Sequence, residues 1–173
     1  GTDCLAIGLG VGAVPRWYAA RGVRTDVVEI DPAVAAIAGE HFGGLGARLQ
    51  LADARQYLAT ARRQYDYVIM DAYTGDATPA HLVSAEAIGL MKSRLKPGGI
   101  AAFNLHGGFG EESRMTLAIL KTIGSVFREV RAYPLYERAE GETWGNIVVI
   151  AGDALPPAPQ GRDFEGWRVH RLA

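Results

Sequence analysis

The 173-residue sequence lacks several features that would each mark a particular class of protein. A single cysteine, Cys4, excludes an internal disulfide framework and suits a reducing compartment. No apolar run reaches the roughly 18–20 residues that span a bilayer, and no basic segment followed by an apolar one opens the chain. Lysine and arginine number 18 against 19 acidic residues, so a basic field for nucleic acid is missing. We expect a cytoplasmic domain that does not bind nucleic acid.

Metal-ligand patterns are missing as well. The four histidines are scattered along the chain, and no pair of histidines or cysteines has the spacing of a metal site. We therefore predict that the protein binds no metal ion.

Glycine, by contrast, is abundant. It makes up 22 of the 173 residues, which is more than the usual share of about 7%. The first glycine cluster follows within a few residues of the start, and the chain begins with Gly1 rather than methionine. We expect a further segment upstream. The length suits a single domain of roughly 100–200 residues. We assign residues 1–151 to a ligand-binding domain and 152–173 to a proline-rich connector with a short C-terminal segment.

Short apolar runs alternate with helical stretches, which is typical of an α/β fold with a mostly parallel sheet. Strands are predicted at residues 4–7, 25–30, 48–52, 65–70, 100–105, 127–133 and 146–151. Helices are predicted at 14–21, 31–41, 53–62, 85–95 and 111–124, the fourth ending at a turn over 96–99. The prediction is a doubly wound, Rossmann-like sheet of seven strands, with its ligand at the carboxyl ends of the strands.

The segment Gly8-Leu9-Gly10-Val11-Gly12-Ala13 stands between the first predicted strand and the first predicted helix. Glycines in that position allow a tight turn and let the main chain approach a ligand closely. The pattern favours a nucleotide or nucleoside ligand, but it does not separate a nicotinamide dinucleotide from an S-adenosyl compound. A tight turn without a ligand remains the alternative.

Acidic residues lie near the end of the second predicted strand and just after the third. Glu29 lies about 20 residues beyond the glycines, where a carboxylate can accept both hydroxyl groups of a ribose. Asp31 is interpreted as the cap of the second helix. Asp53, followed by Ala54, can accept from an adenine amino group or cap the third helix, and one side chain can do both.

A third acidic residue, Asp71, follows the fourth strand at the predicted mouth of the site. A carboxylate there can orient an incoming amine and accept its proton, although an aspartate at a strand end can also simply form a turn. Tyr73 and Asp76 continue this polar loop and are candidates for contact with a substrate.

Four segments together resemble the spermidine synthase (polyamine aminopropyltransferase) family. They are Cys4–Gly12, Val28–Asp31, Tyr65–Asp71 and Leu95–Gly99, and the resemblance extends over most of the chain, from Cys4 to Ala151. The Leu-Lys-Pro-Gly-Gly turn is shared with S-adenosylmethionine-dependent methyltransferases of the same fold. The loop from Asp71 to Leu82 is similar to spermidine-synthase-like domains of bacterial proteins, some of which are fused to membrane segments.

The resemblance implies a class I methyltransferase fold with an antiparallel last strand, and transfer of an aminopropyl group from decarboxylated S-adenosylmethionine to a small amine such as a polyamine. Glu29 would hold the ribose and Asp53 the adenine, with Gly8, Gly10, Gly12 and Ala54 completing the donor site. Asp71 would be the catalytic carboxylate. A homodimer and a longer, membrane-fused protein are further expectations.

Three departures keep other functions open. Val11 stands where the synthases have the aspartate that binds the donor's amino group, and Thr74 stands in place of the second loop aspartate, a role that Asp76 would have to fill. The amino-terminal β-hairpin domain of the family is absent from this chain. An S-adenosylmethionine-dependent methyltransferase is therefore the first alternative, and a noncatalytic nucleoside-binding module is the second. A nicotinamide dehydrogenase comes after both.

Overall fold

The computed structural model describes residues 1–42, 46–75, 77–109, 113–135 and 144–157, and the backbone of 170–171. The principal strands are β1 Asp3–Ile7, β2 Arg24–Glu29, β3 Arg48–Leu51, β4 Tyr65–Met70, β5 Leu95–Gly108, β6 Glu129–Pro134 and β7 Trp144–Gly152. The helices are α1 Ala13–Ala19, α2 Pro32–His41, α3 Ala54–Thr60, α4 Ala85–Ser93 and α5 Arg114–Val126, and a single 3₁₀ turn spans Ala80–Leu82. No helix in these ranges is both long and apolar enough to cross a bilayer.

The strands form one mixed sheet in the order β3-β2-β1-β4-β5-β7-β6, and a two-residue strand β8, His170–Arg171, pairs with β6 at the edge. Strands β1 to β5 run parallel, whereas β7 is antiparallel to both of its neighbours, β5 and β6. The predicted doubly wound sheet of seven strands with an antiparallel last strand is confirmed.

Apolar side chains cover both faces of the central strands. Every residue of β1 is buried, as expected for a parallel strand between two helix layers. The helix α5 repeats its buried residues at the 3.6-residue period of an amphipathic helix, namely Thr116, Ile119, Leu120 and Ile123. Cys4 is fully buried in β1, and burial raises the pKa of its thiol to about 12. It therefore packs in the core as an inert thiol.

Side-chain caps begin two of the helices, and the cap at Asp31 was predicted from the sequence. Asp31 caps α2, its Oδ1 accepting from the Ala33 amide at 2.8 Å, and Ser84 caps α4, its hydroxyl accepting from the Ala87 amide at 3.3 Å. These caps fix where the helices leave the loops at the carboxyl edge of the sheet.

The segment 96–99 differs from the prediction. Helix α4 ends at Ser93 and β5 begins at Leu95, so the segment lies within β5, where the pairing with β4 shifts between Tyr65 and Tyr67. Lys96 is held there because its ammonium binds the carboxylates of Asp3 and Asp66. The start of α5 was predicted at 111, but residues 110–112 lie outside the described ranges, which resume at 113.

Candidate functional site

A cavity of about 280 Å³ opens at the carboxyl ends of β1, β2, β3 and β4. Its wall combines the main chain of the glycine loop, three carboxylates and a set of apolar side chains. The polar and glycine members are Gly8, Gly10, Glu29, Asp53, Asp71, Tyr73, Thr74 and His81, and the apolar ones include Ile7, Val28, Ile30, Val34, Ala54, Pro79 and Leu82. The cavity therefore lies where the sheet topology predicts a ligand.

The glycine loop brings the main chain of β1 against that of β4. Gly8 has φ +91°, and a Cβ built on it would overlap the carbonyl oxygen of Asp71 and lie 2.8 Å from the carbonyl carbon. Gly10 has φ +51° and no heavy atom within 4 Å of its Cβ position, so it leaves open space beside the cavity. Gly12 has φ +77° and forms the N-cap of α1, outside the cavity lining.

Glu29 lies buried at the end of β2 and fixes the glycine loop. Its Oε2 accepts from the Leu9 amide at 3.0 Å, and its Oε1 accepts from the Asp31 amide at 2.8 Å. A carboxylate oxygen has a second lone pair, so each oxygen can still accept from a hydroxyl group in the cavity. The two amides thus hold the carboxylate in one orientation toward the cavity.

Asp53 has two roles at the beginning of α3. Its Oδ1 accepts from the Gln56 amide at 2.9 Å and caps the helix, while its Oδ2 lies 3.5 Å from Nε2 of His81. Both side chains line the cavity together with the buried Ala54. The main-chain capping bond is on Oδ1, and Oδ2 is the oxygen that lies beside His81.

Hydrogen bonds hold both the main chain and the side chain of Asp71. Its amide donates to the Ile7 carbonyl at 2.8 Å, and its Oδ1 accepts from Nδ2 of Asn104 at 2.9 Å. The Tyr73 hydroxyl donates to the main-chain oxygen of Asn104 at 3.1 Å. Burial, with the nearby Asp71 carboxylate, raises the pKa of Tyr73 to about 12, so its hydroxyl is neutral near pH 7.

For two residues of this region, the sequence prediction and the described structure do not coincide. Asp76, a predicted substrate contact, lies outside the described residues. Asn104 was not predicted as part of the site, although it is the polar residue in the apolar run of 100–105. That isolated polarity is the signal that would have singled it out. Within the described ranges, no three His, Cys, Asp or Glu side chains are grouped as a metal site.

Comparison with known proteins identifies two kinds of relative, and no family model matches the chain. It is 34% identical over 157 residues to an N-terminal histidine N-methyltransferase of Emericella nidulans. The aligned region covers 87% of this chain and 28% of that protein. It is 35% identical over 108 residues to a polyamine aminopropyltransferase of Vibrio vulnificus, covering 58% of this chain and 36% of that protein. The chain thus spans only a minor part of the length of these two relatives.

Solved structures add the fold. A probable spermidine synthase from Corynebacterium glutamicum superimposes with a TM-score of 0.77 at 23% identity, over 88% of this chain and 56% of that one. In fold and in sequence, the chain is therefore similar to a spermidine synthase domain. Human methyltransferase-like protein 13, in complex with SAH, superimposes on the domain with a TM-score of 0.72 at 24% identity, over 94% and 76% of the two chains. The spermidine-synthase-like domain therefore has the class I methyltransferase fold.

Proposed function

We propose that the spermidine-synthase-like domain is a transferase that moves an aminopropyl group from decarboxylated S-adenosylmethionine to a small amine acceptor. The observation that carries the proposal is the convergence of three carboxylates, Glu29, Asp53 and Asp71, on one cavity from three successive strand ends. The identity with the aminopropyltransferase of Vibrio vulnificus supports it. By this proposal, the domain acts in polyamine biosynthesis in the cytoplasm.

The donor nucleoside would occupy the part of the cavity beside the glycine loop. Glu29, already oriented by two amides, would accept from the ribose hydroxyls, and Asp53 Oδ2 would accept from the adenine amino group. The apolar side chains of Val34 and Leu82 offer surfaces for the flat faces of the base. The open space at Gly10 lets the main chain approach the ligand.

The acceptor would bind at Asp71. In the transfer step, the amine nitrogen lone pair forms a bond to the methylene carbon attached to the sulfonium, and the carbon–sulfur bond breaks. Neutral methylthioadenosine leaves with the bonding electron pair, and the new ammonium loses a proton to the Asp71 carboxylate or to solvent. The protein's contribution is to hold the two reactants in line and to keep the attacking amine unprotonated. Carboxylates in a cleft also attract a polycationic acceptor.

Methyl transfer from S-adenosylmethionine is the second candidate. Val11 is half exposed in the glycine loop, where the synthases have an aspartate for the donor's amino group. The identity with the Emericella nidulans methyltransferase also favours this chemistry. Against it, methyltransferases usually have an acidic residue two positions before the first loop glycine, and that residue here is the buried Ala6.

Mass spectrometry of the acceptor distinguishes the two reactions. The purified chain is incubated with a diamine and either donor, and the product is expected to gain an aminopropyl group from the decarboxylated donor. The Asp71→Asn variant is expected to lower the rate by about 10²–10⁴-fold, the usual contribution of a positioned acid or base. Asp31→Asn, a helix cap outside the cavity, is the matched control and is expected to transfer at the wild-type rate. A methyl gain, or an unchanged rate in Asp71→Asn, would contradict the proposal.

A further inference from the structure

We propose that Asn104 is a positioning residue for Asp71, which orients the carboxylate so that Oδ2 alone faces the acceptor nitrogen. The proposal rests on the proposed function, because it gives Asp71 the acceptor-binding role described above. It adds a residue on a different strand, β5, to a site whose other polar groups follow β1 to β4 or lie in the loop after β4.

The strand register brings Asn104 beside Asp71. Strands β4 and β5 are parallel neighbours, with Met70 paired to Phe103. Asp71, the first residue after β4, therefore lies beside Asn104, the next residue of β5. The Asn104 Nδ2 donates to Asp71 Oδ1 at 2.9 Å. On the opposite side, the Asp71 amide donates to the Ile7 carbonyl, and the Asp71 carbonyl packs against Gly8. The main chain of Asp71 is therefore fixed by β1, and its side chain is fixed by β5.

The other end of the amide shows that this orientation is imposed by charge. Asn104 Oδ1 is buried and has no hydrogen-bond partner among the residues that the structure describes. A buried acceptor without a partner is unfavourable and needs an explanation. Rotating the amide by half a turn would place this oxygen against the Asp71 carboxylate, where two acceptors repel each other. The negative charge of Asp71 thus holds the amide, and the amide holds the carboxylate.

The main chain and the side chain of Asn104 bind different residues of the loop after β4. The Tyr73 hydroxyl bonds to the main-chain oxygen of Asn104, which any residue at this position retains. The side-chain nitrogen bonds to Asp71 Oδ1, and no described residue bonds to Asp71 Oδ2. A substitution at Asn104 therefore removes the support of Asp71 and leaves the Tyr73 bond in place.

The test compares two substitutions at Asn104 in the full chain. Asn104→Ala is expected to lower the kcat of aminopropyl transfer by roughly 10–100-fold, because a displacement of about 1 Å can have such an effect. The affinity for methylthioadenosine, measured by calorimetry, is expected to stay within about twofold, since Asn104 does not line the nucleoside cavity. Asn146→Ala, an exposed asparagine on the adjacent strand β7, is the matched control and is expected to retain the wild-type kcat.

Asn104→Asp separates positioning from packing. Aspartate has almost the same shape as asparagine, but it places a second carboxylate beside Asp71 and offers no N–H at neutral pH. If Asn104 positions Asp71, Asn104→Asp lowers kcat at least as much as Asn104→Ala. If it only fills space, the aspartate variant keeps more activity than the alanine variant, and the proposal is wrong.

Crystal structures of the wild type and of Asn104→Ala test the proposal without a measurement of enzyme activity. We expect one orientation of the Asp71 carboxylate in the wild type. In the variant, we expect a rotated carboxylate or two partly occupied orientations. An unmoved carboxylate in Asn104→Ala would overturn the positioning role. Absence of transfer by the wild type with either donor would instead overturn the proposed function, and the orientation of the Asp71 carboxylate would still decide the role of Asn104.

Discussion

Two glycines of the same loop serve the site in different ways. Gly8 gives the main chain of β1 room to contact the carbonyl of Asp71, whereas Gly10 forms a left-handed turn that faces open space beside the cavity. Both have positive φ, but only at Gly8 would a side chain collide with fixed backbone atoms. The loop therefore sets the position of Asp71 through Gly8.

Gly8→Ala is expected to be much more destabilising than Gly10→Ala. A left-handed alanine costs about 1–2 kcal/mol, and this cost applies at both positions. At Gly8 the collision with Asp71 adds to it, so we expect the free energy of unfolding to fall by about 3 kcal/mol or more there and by about 1 kcal/mol at Gly10. Denaturant unfolding of both variants measures the difference, and equal losses would refute the close approach.

Asp53 allows the capping and ligand-binding roles of one carboxylate to be separated. Asparagine caps helices as well as aspartate does, so Asp53→Asn should change the free energy of unfolding by less than about 0.5 kcal/mol. In the variant, the side-chain oxygen would keep the bond from the Gln56 amide. An NH₂ group would then take the place of Oδ2 and face the adenine amino group, which is also a donor. We expect the dissociation constant of methylthioadenosine to rise about tenfold or more.

Calorimetric titration and thermal melting of Asp53→Asn and Asp31→Asn check this prediction. Asp31 caps α2 in the same way but lies outside the cavity lining, so its variant should bind like the wild type. Equal affinities of the two variants would mean that Asp53 is only a helix cap.

The sequence pattern predicted which residues would meet at the site, but it did not predict their fine contacts. Glu29 ends one parallel strand of the sheet, and Asp53 and Asp71 lie just beyond the ends of two others. Such positions converge whatever the details of packing. The bond from Asn104 to Asp71 depends on the exact register of β4 and β5 and on one side-chain rotamer. Neither is encoded in a local pattern. Gly12, in turn, begins the helix and does not line the cavity.

At the scale of elements, the opposite edge of the sheet is held by ion pairs. Asp3 at the start of β1 binds Arg63 and Lys96, and Asp66 in β4 also binds Lys96. This cluster connects β1, β4 and β5 at their amino ends, away from the cavity. It also explains why the segment 96–99 stays in β5, because Lys96 reaches both carboxylates from there.

The cluster makes stability depend on pH in the acid range. The Lys96 ammonium, assisted by the Thr2 amide, lowers the pKa of Asp66 from 3.8 to about 2, and Lys96 and Arg63 hold the pKa of Asp3 well below its usual range. The folded carboxylates therefore stay ionised where those of the unfolded chain bind protons. The free energy of unfolding is expected to be undiminished above about pH 4 and to fall as the pH is lowered toward 2.

Lys96→Met is expected to reduce this acid sensitivity. Without the shared ammonium, the pKa values of both carboxylates move toward their usual range, so less stability is lost between pH 4 and pH 2. The variant should also be less stable than the wild type at pH 7, because Asp3 remains buried with fewer cationic partners. Denaturant unfolding at pH 7, 4 and 3 tests this, with Lys121→Met on the exposed side of α5 as the control. An unchanged pH profile in Lys96→Met would contradict the assignment.

At the scale of the whole molecule, the alternation of apolar strands and helices was sufficient to predict the doubly wound sheet. The position of β7 between β5 and β6, and the two-residue β8 beside β6, arise from pairings that no short segment encodes. The domain covers 28% and 36% of two relatives that carry out different transfers. The proposed choice of aminopropyl over methyl transfer therefore needs a measurement on the donor site of this chain.

The most direct test of the account is a calorimetric comparison of methylthioadenosine with S-adenosylhomocysteine, the products that the donor leaves after aminopropyl and methyl transfer. At Val11 the glycine loop has no carboxylate that could bind the amino group of S-adenosylhomocysteine, a group that methylthioadenosine lacks. We predict that methylthioadenosine binds in the cavity and binds more tightly than S-adenosylhomocysteine. Tighter binding of S-adenosylhomocysteine would favour methyl transfer, and no binding of either compound would contradict the nucleoside site itself.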